Sequence, residues 1–523
     1  MFKPNALYYV DGYKLSHKKM LAPNTAKLYG TWIPRTLKYA PKGVKKIVSF
    51  GQQLTWKWLH DEFQENFFKQ PISIARDFGK DMALYLGLDY DASHFESLHE
   101  LGYLPIKVKA LPEGIETLPN IPHMTFVNTV DGFAWLTLYL ETIVSSLAWK
   151  PSTSATIALQ YRRNLVEWVM KTDPANTWLI DYLAHDFSAR GLSPWDMLSS
   201  GLGHATSFRG SDTLITIPAA RYFYNEPEDE VIINSVNASE HSVSCTKIFT
   251  VGEQQMLSDW MVDFPKGILS VVSDTFDLWK LITEYLPALK EQILSRDGKI
   301  TIRPDSGDPV DIICGTEPER IVASTRSLHE LAPKKGVIEL LWDIFGGSVN
   351  DQGYKILDPH IGAIYGDSIT LERQVQIYER LASKGFASTN IVLGVGSFTY
   401  QFNTRDTLGF AAKGAWFEVE NTCYTTDGNT VEYKEYDIYK DPITDDGVKR
   451  SLKGRIAVLK TDPITIQAGF EISEKSGEYY VKQQCTAEEE NTGYLQVIYE
   501  DGSFPHLTSF KEVRERIKKT QNF

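Results

Sequence analysis

"HIGAIYGDSITLERQVQIYERLASKGFASTNIVLGVGS", His360 to Ser397, decides the fold of this chain. Its first apolar run stops at Gly366 and Asp367, as a strand stops at a turn. Leu371, Val375, Tyr378 and Leu381 then recur at helical spacing, and Gly385 supplies a C-cap. "NIVLGVGS" is a second apolar run. Strand, amphipathic helix, strand predicts two parallel strands joined by a right-handed crossover.

The pattern extends towards the N-terminus. "GILSVVSD" is a β-rich run ending at Asp274, "TFDLWKLITEYLPALKEQIL" carries apolar residues at helical spacing, and "KITIRPD" runs into Arg303 and Asp305 before a Ser-Gly-Asp-Pro turn. "VIINSVNASE" leads in a similar way to His241. A parallel α/β sheet, closed as a barrel or left open, binds ligands at the carboxyl ends of its strands. Polar residues stand at five such ends: His241, Asp274, Arg303 with Asp305, Gly366 with Asp367, and Gly394 with Gly396. One Arg-x-Asp would be a surface ion pair and one GxG a tight turn; their convergence predicts a site. "YGDS" and "GVGS" each pair a small residue with a helix start, which exposes N–H groups suited to phosphate.

The first third reads differently. "KKIVSFGQQLTWKWLHDEF" is a short strand entering a helix, "FAWLTLYLETIVSSLAW" is a helix apolar on most faces, and "PSTSATIALQYRRNLVEWVMKT" begins a further helix with Ser and Thr as N-caps. We divide the chain into a mixed helical region at 1–180, an α/β barrel with the active site at 181–400 and a β-rich region at 401–523. In the last of these, Asp427-Gly428 reads as a hairpin turn.

A chain of 523 residues exceeds one ordinary core. Its net charge of −13 disfavours broad contact with nucleic acid or anionic membrane, so any phosphate must be met by local cations. The four cysteines are far apart and form no CxxC, which fits a reducing, cytoplasmic setting without a zinc site. The sequence shows no signal peptide and no apolar run near membrane-spanning length.

The blocks "DGYKLSHKKMLAPNTAKLYGTWIPR", "HDFSARG", "RGSDT", "ASEHS", "SVVSDTFD", "IRPDSGDP", "YGDSI", "TRDTLGFAAK" and "KDPITDDGVKRSLKGR" resemble the nicotinamide phosphoribosyltransferases, homodimeric type II phosphoribosyltransferases. The resemblance covers nearly the whole chain. It implies an irregular α/β barrel with an accessory β-rich α+β domain built from both chain ends, and synthesis of nicotinamide mononucleotide from nicotinamide and phosphoribosyl pyrophosphate in NAD salvage.

It also implies roles residue by residue. Phe187, with Tyr13 of a second subunit, would sandwich the nicotinamide ring. Arg190 would donate to the carboxamide oxygen and Asp212 would accept from its NH₂. Arg303, Asp305 and Asp367 would line the phosphoribosyl pocket, with Gly366, Gly396 and Ser397 giving backbone amides to the 5′-phosphate. Arg35, Arg405, Lys413, Lys440 and Lys449 would hold pyrophosphate. Magnesium would be bound through substrate oxygens and water rather than by a direct protein ligand. His241, oriented by Asp274, would be phosphorylated by ATP, which stimulates the reaction. Taken singly, these residues have plainer readings: a core Phe, a solvated Tyr, a turn or cap Asp, a structural His and surface cations.

Two competing readings are a nicotinate phosphoribosyltransferase and a non-catalytic nucleotide-binding relative. An acid at 212 opposes the first, because a carboxylate substrate would meet like charge. The joint presence of Arg303, Asp305, Asp367 and Arg405 opposes the second. Ser397 and Ala411 depart from the animal members of the family, which carry a glycine and a serine there.

Overall fold

The computed structural model describes residues 3–316, 328–366, 368–425, 428–440, 452–461 and 478–520. Twelve strands form its two large sheets. In chain order they are β1 (Thr25–Ile33), β2 (Ile106–Ala110), β3 (Met124–Asn128), β4 (Ala184–Phe187), β5 (Asn237–Ala238), β6 (Lys266–Val272), β7 (Asp297–Arg303), β8 (Ile361–Tyr365), β9 (Ile391–Gly396), β10 (Ala411–Thr425), β11 (Gly428–Asp437) and β12 (Gln496–Glu500).

The second sheet is the one that the opening stretch predicts. Its order is β4-β9-β8-β7-β6-β5, and each neighbouring pair is parallel. Single parallel bridges, Asp186 to Ser211 and Gly210 to Asn234, carry the curl from β4 round towards β5. The barrel is irregular at this seam because only isolated residues pair there. Asp186 is fully buried at the seam: the Ser188 N–H donates to its Oδ1 at 2.9 Å, and the Ser211 hydroxyl donates to its Oδ2 at 3.4 Å. Ile300, Ile302, Ile361, Leu393 and Val395 alternate into a core shared with Leu341, Ile377 and Leu381 of the surrounding helices.

The other sheet is antiparallel, ordered β11-β10-β1-β3-β2-β12, so both ends of the chain build it. Trp32, Trp56, Phe63, Phe95 and Trp135 fill a separate core beside it. β10 and β11 pair as the predicted hairpin, although Asp427 lies outside the described residues.

One expectation is corrected. Instead of a new helix beginning at Pro151, a single helix runs from Glu141 to Thr172 with Pro151 inside it. The serines and threonines that read as caps serve another purpose. Ser152 Oγ donates to the Val48 carbonyl, and the Val48 N–H donates to Thr156 Oγ1 at 3.0 Å, which ties the short strand Ile47–Val48 to the helix. Gly51, at φ +92°, passes so close that a Cβ would stand 2.4 Å from Pro151 Cβ. Burial on nearly every face offsets the lost backbone donor. The helix is also the spine of the molecule, since Val144 and Leu147 sit in the first-sheet core and Tyr161 and Leu165 in the barrel core.

The region after β6 is less regular than predicted: Leu278 to Leu294 is broken into short helices around a π-helical turn at Leu281–Tyr285 and a proline at 287. Only Asn237–Ala238 of "VIINSVNASE" is strand.

Candidate active site

A cavity of about 580 Å³ opens at the carboxyl ends of the parallel strands. Phe187 closes β4, Arg303 closes β7, Gly366 follows β8 and Gly396 closes β9; all four line it, as do Arg190, Asp212, His241, Asp305 and Ser397. Parallel strands all present the same end to the same side, which is why residues so far apart in sequence meet.

His241 opens the helix His241–Val251 after β5. Its Nε2 is 3.0 Å from Asp274 Oδ1, and Asp274 is largely buried beneath it. Asp274 Oδ2 accepts from the Asp305 N–H at 2.8 Å and from Ser306 Oγ at 2.6 Å. Burial alone would raise the Asp274 pKa, but the hydrogen bonds from Ser306, Asp305 and His241 outweigh it and lower the value. With Asp274 ionised, the Nε2–H of His241 is the donor of this hydrogen bond.

Asp212 is built in the same way. His185 Nε2 lies 3.0 Å from its Oδ1, and Ser235 Oγ donates to the same oxygen. Burial would raise this carboxyl too; His185 and Ser235, with the field of Arg303, lower it. Oδ2 makes no hydrogen bond among the described residues, and the side chain is 42% exposed. The His185 ring also lies 4.6 Å from that of Phe187, so both faces of this corner are set by alternate residues of β4.

Arg303 Nη2 donates to the Ser239 carbonyl at 2.7 Å, while its Nε is buried without a partner. Gly366 packs against this pair: a Cβ there would lie 3.1 Å from Asp305 Oδ1 and 3.8 Å from Arg303 Cδ. Gly396 has open space where a Cβ would sit and caps the short helix Ser397–Gln401. Ser397 occupies the room that Gly191 leaves, since a Cβ at 191 would be 2.3 Å from its Cβ. Gly394 differs from its predicted role. It lies within β9, where a Cβ would collide with Phe187 Cδ2 at 2.7 Å, so it makes room for the ring. The "YGDS" helix start is likewise displaced, because the cap of Leu371–Ser383 is Thr370.

Tyr13 and the predicted pyrophosphate cations among the described residues do not line this cavity. Tyr13 is 64% exposed in a short turn and does not line it. Arg35, Arg405, Lys413 and Lys440 form a second grouping around the head of β10, where Lys413 pairs with Thr31 of β1. Burial lowers the Lys413 pKa, and the charges of Arg35, Lys440 and Arg405 add to the effect against the opposing pull of Glu141. Ala411, buried at the start of β10, faces Ile33. Asp367 and Lys449 lie outside the described residues. No group of three or more His, Cys, Asp or Glu side chains converges as a metal site among the described residues. His185, Ser235, Ser239 and Ser306 stand inside the quoted stretches "HDFSARG", "VIINSVNASE" and "IRPDSGDP", but the sequence assigns them no role at the site.

Residues 182–489 match the nicotinate phosphoribosyltransferase (NAPRTase) family. The chain is 38% identical to a nicotinamide phosphoribosyltransferase of Acinetobacter baylyi, over 99% of this chain and 97% of that protein. It is 33% identical to a nicotinamide phosphoribosyltransferase of Mycoplasma pneumoniae, over 85% of this chain and 94% of the relative. Among solved structures, a nicotinate-nucleotide pyrophosphorylase of Pyrococcus furiosus aligns over 99% of this chain and 95% of its own, with TM-score 0.51 and 16% identity. Human nicotinic acid phosphoribosyltransferase aligns over 98% and 93%, with TM-score 0.51 and 14% identity. These two show the shared fold, including the α/β barrel with its accessory sheet. By family match and by full-length identity, the chain belongs to the nicotinate phosphoribosyltransferase family.

Proposed function

We propose that the chain transfers the phosphoribosyl group of phosphoribosyl pyrophosphate to nicotinamide, releasing pyrophosphate. One observation carries the substrate choice: Asp212 stands in the cavity wall with its pKa lowered and its Oδ2 without a hydrogen bond among the described residues. A fixed carboxylate accepts from an amide NH₂ and repels a carboxylate. Arg190 is the donor for the carboxamide oxygen, and Phe187 gives the ring a flat apolar face.

Displacement at the anomeric carbon develops positive charge on the sugar. Asp305 accepts from the ribose hydroxyls and stabilises that charge, Arg303 lies against the sugar phosphate, and the amides at Gly366, Gly396 and Ser397 receive the 5′-phosphate. Magnesium, when bound to the diphosphate, neutralises charge on the leaving group. The protein positions and polarises; no side chain attacks the sugar.

In this reading ATP phosphorylates His241. The Nδ1 lone pair of the neutral ring forms the N–P bond as the bond from the γ-phosphorus to the ADP oxygen breaks, while the Nε2–H keeps donating to Asp274 Oδ1. Tyr13 and the cations Arg35, Arg405, Lys413, Lys440 and Lys449 come from the second subunit of a cytoplasmic homodimer and complete the site.

The test is mononucleotide formation from phosphoribosyl pyrophosphate and Mg²⁺ with nicotinamide or nicotinic acid, each with and without ATP. Turnover of the amide alone, raised by ATP, supports the reading; preferential turnover of the acid overturns the role of Asp212.

A further inference from the structure

The backbone at Asp212 is fixed independently of its side chain. The Asp186 N–H donates to the Gly210 carbonyl at 3.1 Å and the Asp212 N–H returns to the Asp186 carbonyl at 2.9 Å, so residues 210–212 are laced to β4. The Ser211 N–H donates to the Asn234 carbonyl at 3.2 Å, which brings Ser235 alongside. Whatever stands at 185, residue 212 keeps its place at the barrel mouth.

The direction of the carboxylate is a separate matter. His185 Nε2 and Ser235 Oγ converge on Oδ1, and Oδ2 is left for a ligand. The two donors are unlike. Ser235 is exposed, so its hydroxyl can turn to water. His185 is 8% exposed, and the Gly210 backbone lies so close that a Cβ there would stand 2.9 Å from its Nδ1. A packed imidazole has no alternative partner within reach of Nε2, so its bond to Asp212 persists.

The electrostatics rank the donors in the same order. Burial is the largest influence on Asp212 and raises its pKa; the hydrogen bond and field of His185 come next and lower it, ahead of Ser235 and Arg303. Arg190, Glu240, His241 and Asp305 line the same cavity, and the titratable neighbours of His185 on the protein side include Asp186 and His204. None of these six donates to the Asp212 carboxylate among the described residues.

We infer that His185 is a positioning residue that sets the choice of base, by holding Asp212 as an ionised acceptor whose Oδ2 takes an amide NH₂ and repels a carboxylate. The inference rests on the reading of Asp212 as the amide acceptor. Without the N–H at 185, less opposes burial and the Asp212 pKa rises. A protonated Oδ2 then donates to a ligand carboxylate instead of repelling it. Selectivity for the amide becomes dependent on pH and weakens as pH falls.

The experiment measures the ratio of kcat/KM for nicotinamide to that for nicotinic acid, on the full chain, from about pH 8 to about pH 6. The wild-type ratio should be flat. In His185→Leu it should fall by about tenfold or more at the acid end. His185→Gln carries an amide N–H to the place of Nε2 but no ring, and should restore a flat ratio to within about twofold of wild type. Ser235→Ala should change the ratio by no more than about twofold, which tests the ranking of the donors even if His185→Leu fails to fold. A wild-type ratio in His185→Leu at every pH would overturn the inference. So would a His185→Gln no better than His185→Leu, or a larger effect from Ser235→Ala than from His185→Gln. An unchanged ratio in Asp212→Asn would instead sink the reading of Asp212, and the inference with it.

Discussion

The barrel mouth and the cation grouping at the head of β10 are built by opposite rules. At the barrel mouth the key charges are held before any ligand arrives. Asp274 accepts from His241, Ser306 and the Asp305 N–H; Asp212 is held by His185 and Ser235; Arg303 is anchored on the Ser239 carbonyl. Around Lys413, burial first and then the like charges of Arg35, Lys440 and Arg405 lower its pKa against the pull of Glu141. The first region is preorganised and stable by itself, whereas the second stores repulsion that a polyanion would relieve. A site for a diphosphate ester of a sugar needs both kinds of surface, and this chain folds them in separate places.

The largest effect should come from breaking the preorganised half. Asp305→Ala is expected to lower kcat/KM for mononucleotide formation by about 10²–10³-fold, and a near-normal rate would remove Asp305 from the mechanism. If the two regions meet only across the proposed dimer, Asp305→Ala and Lys413→Ala chains are each inactive but complement. Unfolded and refolded together, they should regain about a quarter of wild-type activity, because half the dimers are mixed and each mixed dimer has one intact site. No recovery would mean that both halves act within one chain.

Asp212→Asn is expected to shift the ratio of nicotinamide to nicotinic acid turnover by about ten- to a hundredfold towards the acid, read in competition assays. Asp274→Asn should abolish stimulation by ATP while leaving turnover without ATP, as measured by paired rates. The same variant sharpens the contrast by its pH dependence. The folded pKa of Asp274 lies below the ordinary 3.8, so its stabilising contribution is fully present above that value and is lost as pH falls through the folded pKa. The melting temperature of the variant should therefore fall short of wild type at pH 7, with the gap closing as pH falls below the ordinary 3.8 and through the folded pKa.

The smallest effect belongs to the strained half. Lys413 is disfavoured in its charged form by the fold, a cost present at neutral pH and removed as pH rises past the ordinary 10.5. Lys413→Met should raise the melting temperature by about 1 °C, and saturating pyrophosphate should erase the difference. A lower melting temperature in the variant would show that the cations are not in conflict.

Much of this molecule is legible from local pattern. The apolar run from Ile361 to Tyr365, the helical spacing from Leu371 to Leu381 and the run from Ile391 to Val395 require parallel strands. Parallel strands require Arg303, Gly366 and Gly396 to stand together. That chain of inference needs only the periods of strand and helix and the handedness of the crossover. Phe187, Arg190 and Asp212 became readable through their blocks, because the bridges that bring residues 186, 210, 211 and 234 together leave no strand-like pattern.

What only the tertiary structure decided has a common physical cause: it depends on which surfaces meet. Proline predicts a break, yet the helix continues through Pro151 because Gly51 leaves room and strand Ile47–Val48 takes up the hydroxyls beside it. Serine predicts turns and caps, yet Ser235 and Ser306 hold catalytic-type carboxylates ionised. Lysine and arginine predict solvated surface, yet Arg35, Arg405 and Lys413 crowd one another because β1 and β10 are neighbours in one sheet. Periodicity records how a segment pairs with its own face of the core; the partner of a polar atom is chosen by segments tens of residues away or more, and their approach is set by packing.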